Sequence, residues 1–220
     1  MEIIKLQDTY TIVVVATIDT PFYVQASWMR DRNIINCDEW AKVHGVLVVP
    51  DASRFDIGES ITFYCNKERL QIRTTDYTKI ARVQSIADGI VASLDIPDDS
   101  FRAVGINNEF IFTFHSEDDS VRFGDTFVPL EKWKSMFNMP RVLEFSVKEA
   151  AFINKGEPCK TLKISSVGAQ ENSNIPIINA NSNYHHEVAC RQEVKKVLSK
   201  ATKFFNEFND TFSNFVKGVQ

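Results

Sequence analysis

Glycine is scarce in this chain, with eight residues among 220, and none of them stands in a phosphate-binding pattern. The sequence contains no P-loop, no G-x-G-x-x-G dinucleotide fingerprint and no G-x-S-x-G nucleophile elbow. Gly105 and Gly124 are isolated, which is typical of a bulge or turn rather than of a loop that holds phosphate. The sequence therefore carries no signature of a nucleotide-binding enzyme or a serine hydrolase.

Cysteine is also infrequent, and its spacing matches no metal-binding motif. Cys37, Cys65, Cys159 and Cys190 lie far apart and form no C-x-x-C or Cys/His pattern. The even count leaves disulfides open, although a chain of this size with a normal core does not need them. We predict no metal site and no cofactor.

Long apolar runs and a dominant charge are missing as well. No run approaches the roughly 20 apolar residues of a membrane-spanning helix, and the start MEIIKLQDTY lacks the basic and apolar regions of a secretory signal. With 25 Lys and Arg against 29 Asp and Glu, the chain has no overall attraction for nucleic acid or anionic lipid. We expect a cytoplasmic protein without a membrane span.

The first three quarters of the chain predict an α+β body over residues 1–164. Runs of β-branched residues such as Tyr10 to Ile18 and Val46 to Val49 indicate strands, and both are apolar enough to predict buried ones. Asp76 stands where it can cap a helix whose apolar face continues to Leu94. We predict a mixed or mostly antiparallel sheet with one well-defined packing helix.

Composition changes after residue 164. Residues 165–186 are rich in Asn and Ser and show little periodicity, so we predict a linker or an irregular surface segment there. Ile175, Ile177 and Ile178 interrupt it and could anchor it to the body as a short added strand. Residues 187–220 predict a long C-terminal amphipathic helix, because apolar residues recur at the spacing of one helical face. We call the apolar residues on this face the C-terminal stripe: Val194, Leu198, Ala201, Phe204, Phe205, Phe208, Phe212, Phe215 and Val219.

The predicted length of this helix leads to a functional hypothesis. Residues 190–219 span about 45 Å as a helix, whereas a body of about 165 residues has a diameter of roughly 40 Å. The C-terminal stripe is then too long to be covered comfortably by its own body, and bare phenylalanines favour a partner. Without Phe204, its steps of three and four are those of a heptad coiled coil. Phe is bulky for two strands and favours a larger bundle or a groove on another protein.

We therefore predict a non-enzymatic interaction subunit of a multiprotein complex that oligomerises or binds a different protein through the C-terminal stripe. A membrane-surface helix ranks lower, because acidic residues offset the lysines on the polar side.

An enzyme is the first alternative. A small metal-dependent hydrolase or nuclease needs carboxylates that converge with a base such as His115. The candidate carboxylates are Asp95, Asp98, Asp99, Glu117, Asp118 and Asp119. Their setting in polar turns favours solvated loops over a catalytic site.

A nucleic-acid-binding accessory protein is the second alternative. Arg69, Arg73, Lys79 and Arg82 cluster in the sequence near two tyrosines, which is compatible with a basic and aromatic surface. Acidic residues are interleaved with them, and this favours an ordinary mixed surface.

Overall fold

A computed structural model describes residues 3–129, 132, 136, 144–148, 159–171 and 173–218, with the side chains of the last helix described through Phe212 and at Asn214. The strands are β1 (Ile3–Ala16), β2 (Val43–Val49), β3 (Ala52–Ile57), β4 (Ile61–Asn66), β5 (Arg69–Thr74), β6 (Phe101–Phe114), β7 (Glu144–Lys148), β8 (Cys159–Ala169) and β9 (Pro176–Glu187). The helices are α1 (Ala26–Asp31), α2 (Cys37–Trp40), α3 (Ile80–Ser93), α4 (Glu117–Phe127), α5 (Arg191–Leu198) and α6 (Ala201–Gly218).

All nine strands belong to one sheet, in the order β2-β3-β4-β5-β1-β6-β9-β8-β7. Every neighbouring pair in this order is antiparallel. The predicted α+β class is confirmed. In place of one long C-terminal helix, however, the structure has two shorter ones, α5 and α6.

The strand order is symmetric about the central pair β1 and β6. Each half of the chain begins with a 14-residue central strand and returns to pair beside it, β5 next to β1 and β9 next to β6. A helical segment then follows each returning strand, α3 in the first half and α5 with α6 in the second. The sequence shows no internal repeat, yet the fold has a repeated arrangement.

The two faces of the sheet differ in burial because side chains alternate along each strand. On β1, Tyr10, Ile12 and Val14 are buried at 0–1% exposure, whereas Thr11 and Val13 between them are only half-buried. We call the side of Tyr10 the helix-covered face and the side of Thr11 the open face. In the described part of the chain, the side-chain contacts between helices and sheet lie on the helix-covered face.

Helix α3 is where the sequence predicted it. The Asp76 carboxylate accepts hydrogen bonds from the Thr78 amide at 2.9 Å and the Thr78 hydroxyl at 2.7 Å, and so starts the helical segment. The apolar side chains of α3 are buried on the sheet: Ile80, Val83, Ile86, Ala87, Ile90 and Val91.

The predicted linker over residues 165–186 is wrong. Most of this range lies in β8 and β9, and β9 pairs with β6 on one side and with β8 on the other. Asn179, Asn181 and Asn183 alternate along β9 with side chains that are buried on the helix-covered face. The asparagines therefore mark one face of a strand instead of an irregular segment.

The predicted single helix over residues 187–220 is divided at Ser199 and Lys200. The Lys200 amide donates to the Val197 carbonyl three residues back at 3.0 Å, and the Ser199 hydroxyl donates to the Lys196 carbonyl at 2.9 Å. These local bonds end α5 and redirect the chain, because they replace the regular bonds four residues apart. None of the described helices is long and apolar enough to cross a membrane.

Candidate functional site

The C-terminal stripe is packed against the protein's own sheet. Val194, Leu198, Ala201 and Phe205 are fully buried at 0% exposure. Phe204, Phe208 and Phe212 are 6–7% exposed, and Phe215 and Val219 lie outside the described side chains.

Aromatic contacts fix this packing on the helix-covered face. The Phe205 ring meets the Tyr10 ring edge-on with centroids 5.5 Å apart, and Phe208 and Phe212 lie 5.2 and 5.4 Å from Phe110. Phe204 stacks on Tyr184 at 4.8 Å. The central strands of 14 residues span about 43 Å. The body therefore covers the described part of the stripe, through Phe212, which the expectation of too small a body did not anticipate. Partner binding by the C-terminal stripe stays a prediction, one that requires these side chains to leave their present contacts.

Polar contacts also hold α6 on the sheet. The Asn108 amide donates to the Phe205 carbonyl at 3.2 Å, and the Asn209 amide donates to the Tyr10 hydroxyl at 3.3 Å. Burial raises the pKa of Tyr10 well above its ordinary value, so this phenol stays neutral. Hydrogen bonds at defined positions set the register of α6 more specifically than apolar packing alone.

The structure does not bring the candidate carboxylates together. Asp98 and Asp99 precede β6, whereas Glu117 follows its far end, so about 43 Å of strand separates the two groups. Asp118 and Asp119 lie in the first turn of α4, where carboxylates stabilise the helix dipole. No group of three or more metal-ligating side chains occurs among the described residues. Asp98 and Asp99 therefore lie at the far end of β6 from His115, and the hydrolase alternative stays a prediction.

The four predicted nucleic-acid-binding residues do not form one surface. Arg69 and Arg73 are exposed on β5, two positions on either side of Gln71 and on the open face. Arg82 belongs to α3 on the opposite side of the sheet, where its guanidinium donates to both Glu39 carboxylate oxygens at 2.6 Å. Lys79 precedes the same helix.

The ion pair of Arg82 has a structural role. Burial alone would raise the pKa of Glu39, but hydrogen bonds from Arg82 and from the Asn36 backbone hold that pKa below its ordinary value. Arg82 also donates to the Ile34 carbonyl at 2.6 Å, which ties α3 to the segment between α1 and α2.

The edge strand β2 is a surface that the sequence did not predict. Val46 and Leu47 are 59% and 55% exposed, and Val48 and Val49 are 39% and 40% exposed. The prediction of a buried strand here was wrong, because β2 is the last strand on its side of the sheet and pairs with β3 alone in the described part of the chain. Four adjacent exposed aliphatic side chains on a sheet edge are unusual for a protein without a partner at that edge.

The open face carries a second unpredicted feature, a row of hydrogen-bonding side chains that runs across the sheet. Arg73 lies opposite Thr11, which lies opposite Asn107, and Asn107 lies opposite Asn183. The next row places Glu109 opposite Asn181, and the Asn179 amide donates to the Glu109 carboxylate at 2.5 Å. The alternation of Asn with smaller side chains along β9 is the sequence signal that would have revealed this face.

His186 is a buried titratable group on the helix-covered face. Its ring packs on Phe204 with centroids 5.5 Å apart, and its Nε2 atom has no hydrogen-bond partner among the described residues. Burial, followed by the positive charge of Lys200, lowers the pKa of His186 from 6.5 to about 4. The folded protein therefore holds this imidazole neutral.

We expect His186→Leu to reduce the acid sensitivity of the fold. Between pH 6.5 and about 4 the unfolded chain protonates His186 and the folded chain does not, so wild-type stability falls as pH falls through this window. Urea unfolding at pH 7 and pH 5 should show a wild-type loss larger than the variant's by about 1–2 kcal/mol. His185→Leu, on the opposite face of β9, should keep most of the wild-type loss, because burial is the largest cause of the lowered pKa of His186 and the charge of His185 is the smallest. Parallel losses in the wild type and His186→Leu would contradict this role.

No protein-family model matches the chain, and a comparison with curated protein sequences finds no significant match. The functional assignment therefore rests on the two surfaces described above, the β2 edge and the open face.

Proposed function

We propose that this protein is a non-enzymatic interaction subunit that assembles with a second copy of itself through the edge strand β2. The supporting observation is the exposed aliphatic run on β2, from Val46 at 59% exposure to Val49 at 40%. This proposal keeps the assembly role predicted from the sequence. It moves the contact from the C-terminal stripe, whose described side chains through Phe212 are buried, to the edge of the sheet.

Pairing of β2 with another strand satisfies two needs at once. An edge strand presents a row of backbone amides and carbonyls that a second strand can bind. The same contact brings together the aliphatic side chains of both strands and removes apolar surface from water at about 25 cal/mol per Å². This pairing accounts for the exposed aliphatic side chains from Val46 to Val49.

Charge at the two ends of β2 favours a second copy in antiparallel orientation. Lys42 precedes the strand and Asp51 follows it, and both are exposed. Asp51 also pairs with Lys67 at 2.6 Å, so a second copy's Lys42 would share this carboxylate. Antiparallel self-pairing places Lys42 of each copy near the oppositely charged Asp51 of the other, whereas a parallel arrangement places like charges side by side. A two-fold pair of this kind is also the commonest symmetry of protein dimers.

The contact area sets the expected affinity. A pair of seven-residue strands buries less than the roughly 1,600 Å² of a standard stable interface. We therefore expect a reversible dimer with a dissociation constant in the micromolar range, favoured where the local concentration of the protein is high.

Leu47→Lys is the variant that tests this contact. Leu47 pairs with Arg54 inside the chain and is exposed, so a lysine there adds positive charge to both copies at the interface without changing the core. Light scattering across the micromolar range should give a wild-type molar mass that rises from 25.1 kDa toward twice that value. Leu47→Lys should stay at the mass of one chain, with an unchanged circular dichroism spectrum.

The matched control is Leu6→Lys, which changes a leucine of 52% exposure on β1. It should associate as the wild type does. A wild-type chain that stays monomeric at the highest concentration reached would overturn the proposal, as would equal loss of association in both variants.

A further inference from the structure

We infer that the open face over β3 to β6 and β9 binds double-stranded nucleic acid. This surface adjoins the edge strand β2, where Leu47 lies opposite Arg54, but the inference does not depend on the proposed function. It differs from the basic cluster predicted from the sequence, because only Arg69 and Arg73 of that cluster lie on it.

Three exposed arginines give the open face positive charge that is complementary to the phosphates of nucleic acid. Arg54, Arg69 and Arg73 lie on the open face, and none of them is within salt-bridge distance of an acidic residue among the described ones. Outside this face, the arginines at positions 30, 82 and 191 are paired with Asp31, Glu39 and Asp98. Arg32 packs over the Trp28 ring, and Arg102 donates to the Asp99 carbonyl. Guanidinium groups without acidic partners are suited to phosphate, which they bind through two parallel hydrogen bonds.

The pairing register of β3, β4 and β5 places these three arginines around Gln71. Arg54 lies opposite Tyr64, and Tyr64 lies opposite Gln71. Arg69 and Arg73 are the second neighbours of Gln71 along β5, so they stand about 13 Å apart at 3.3 Å per residue. Arg54 is two strands away, at about 10 Å. Several phosphates of one polyanion can therefore contact the cluster together.

Side-chain amides continue from this cluster toward the centre of the sheet. Asn107 and Asn183 lie opposite each other, and the Asn183 Oδ1 atom is buried without a hydrogen-bond partner among the described residues. Gly105 lies beside them: a Cβ at this position would be 3.5 Å from Asn107 Nδ2 and 3.6 Å from Asn183 Oδ1. Gly105 therefore lets the two amides lie close to the strand backbone, in the row that begins at Arg73.

The mixture of groups favours a duplex over a single strand. Binding of unpaired bases relies on aromatic side chains as stacking platforms, and Tyr64 is the one Phe, Tyr or Trp on the open face of the described strands. Amides such as those of Asn and Gln instead hydrogen-bond to base edges in a groove. The arginines are therefore suited to the phosphates of a duplex, and the neighbouring amides are suited to the base edges in its groove.

Acidic residues on the same face confine the positive region. Asp56 accepts a hydrogen bond from Thr62 at 2.6 Å, and Glu109 accepts one from Asn179 at 2.5 Å. On β8, Lys163 is paired with Glu144 at 3.0 Å. Asp56 lies on β3 beside the arginines and lowers the net positive charge of the β3 to β5 side. We therefore expect moderate affinity with strong salt dependence.

The test is fluorescence anisotropy with a labelled duplex DNA of about 20 base pairs and mixed sequence, titrated with the full chain. Three phosphate contacts predict a slope of about −2.7 in log K against log salt, which is a loss of about 40-fold between 50 and 200 mM salt. The triple variant Arg54→Gln, Arg69→Gln, Arg73→Gln should bind at least tenfold more weakly at 50 mM salt and lose most of this slope. The control triple Lys195→Gln, Lys196→Gln, Lys200→Gln removes the same charge from exposed positions on the helical side and should keep wild-type binding.

A second arm separates nucleic acid from other polyanions. The double variant Asn107→Ala, Asn183→Ala should weaken duplex binding while leaving the binding of inorganic polyphosphate unchanged, because polyphosphate has no base edges. Circular dichroism and urea unfolding establish that each variant is folded. The inference is overturned if the wild type does not bind the duplex at low salt, if both charge triples weaken binding equally, or if the Asn variant binds the duplex as the wild type does.

Discussion

Phe205→Ala is expected to lower the free energy of unfolding by about 3–5 kcal/mol. Phe205 is fully buried, its ring meets Tyr10 edge-on, and its backbone carbonyl accepts the amide of Asn108. Alanine removes the ring and leaves a cavity between α6 and the centre of the sheet, where both central strands are closely packed. Urea or thermal unfolding of the full chain measures the loss directly.

The matched control for Phe205→Ala is Asp210→Ala, an exposed position on the same helix, which should change the free energy of unfolding by no more than about 0.5 kcal/mol. A loss below about 1 kcal/mol for Phe205→Ala would mean that α6 adds little to the fold. In that case the C-terminal stripe would again be available as a detachable binding element, as the sequence alone predicted.

Arg191→Ala is expected to destabilise the protein by about 2–4 kcal/mol, since hydrogen bonds to charged groups contribute about 1.5–3 kcal/mol and several are lost together. The Arg191 guanidinium donates to the carbonyls of Val91, Leu94 and Ile96 at 2.5, 2.8 and 2.8 Å, and also to the Asp98 carboxylate at 3.1 Å. It therefore satisfies the carbonyls at the end of α3 and joins that helix to the start of α5.

Arg191→Lys should recover only part of this stability, because an ammonium group cannot reproduce the planar geometry that reaches three carbonyls. Arg30→Ala removes a half-buried arginine that pairs with Asp31 and packs over the Trp40 ring, and should cost about 1 kcal/mol. Equal urea midpoints for Arg191→Ala and Arg30→Ala would contradict the role of Arg191 in joining α3 to α5.

Local signals predicted the elements that depend on local interactions. Asp76 and the apolar positions that follow it specify the start and buried face of α3, and both features are present in the structure. The aromatic alternation of Phe110, Phe112 and Phe114 likewise predicts a strand with one buried face, as found in β6. In these segments the capping residue or the periodicity lies within a few residues of the element that it specifies.

The errors arose where long-range contacts decide the outcome. The Asn-rich segment was predicted as a linker because polar composition outweighed its period of two, yet pairing with β6 and β8 makes it a strand. The run Val46 to Val49 was predicted to be buried because it is apolar, and sequence alone does not say that a strand is the last in its sheet. The predicted helix length was also compared with the diameter of a spherical body. An extended sheet covers more of a helix than such a sphere does.

The candidate surfaces were only partly predictable for the same reason. Arg69 and Arg73 are close in sequence and were identified as possible nucleic-acid contacts, whereas Lys79 and Arg82 have the same sequence proximity and lie away from the open face. Asn107 and Asn183 are far apart in sequence and become neighbours only through the register of β6 and β9. No local pattern identifies a row of side chains that crosses several strands.

Hydrogen exchange of the β2 amides over a concentration series tests the proposed assembly most directly. If β2 pairs with a second copy, protection across Val43–Val49 should rise with protein concentration in the wild type and stay low in Leu47→Lys. The amides of β4 and β5, inside the sheet, should be protected equally at every concentration. Assembly through this edge would be contradicted if the protection of β2 is the same at low and high micromolar concentration, both in the wild type and in Leu47→Lys.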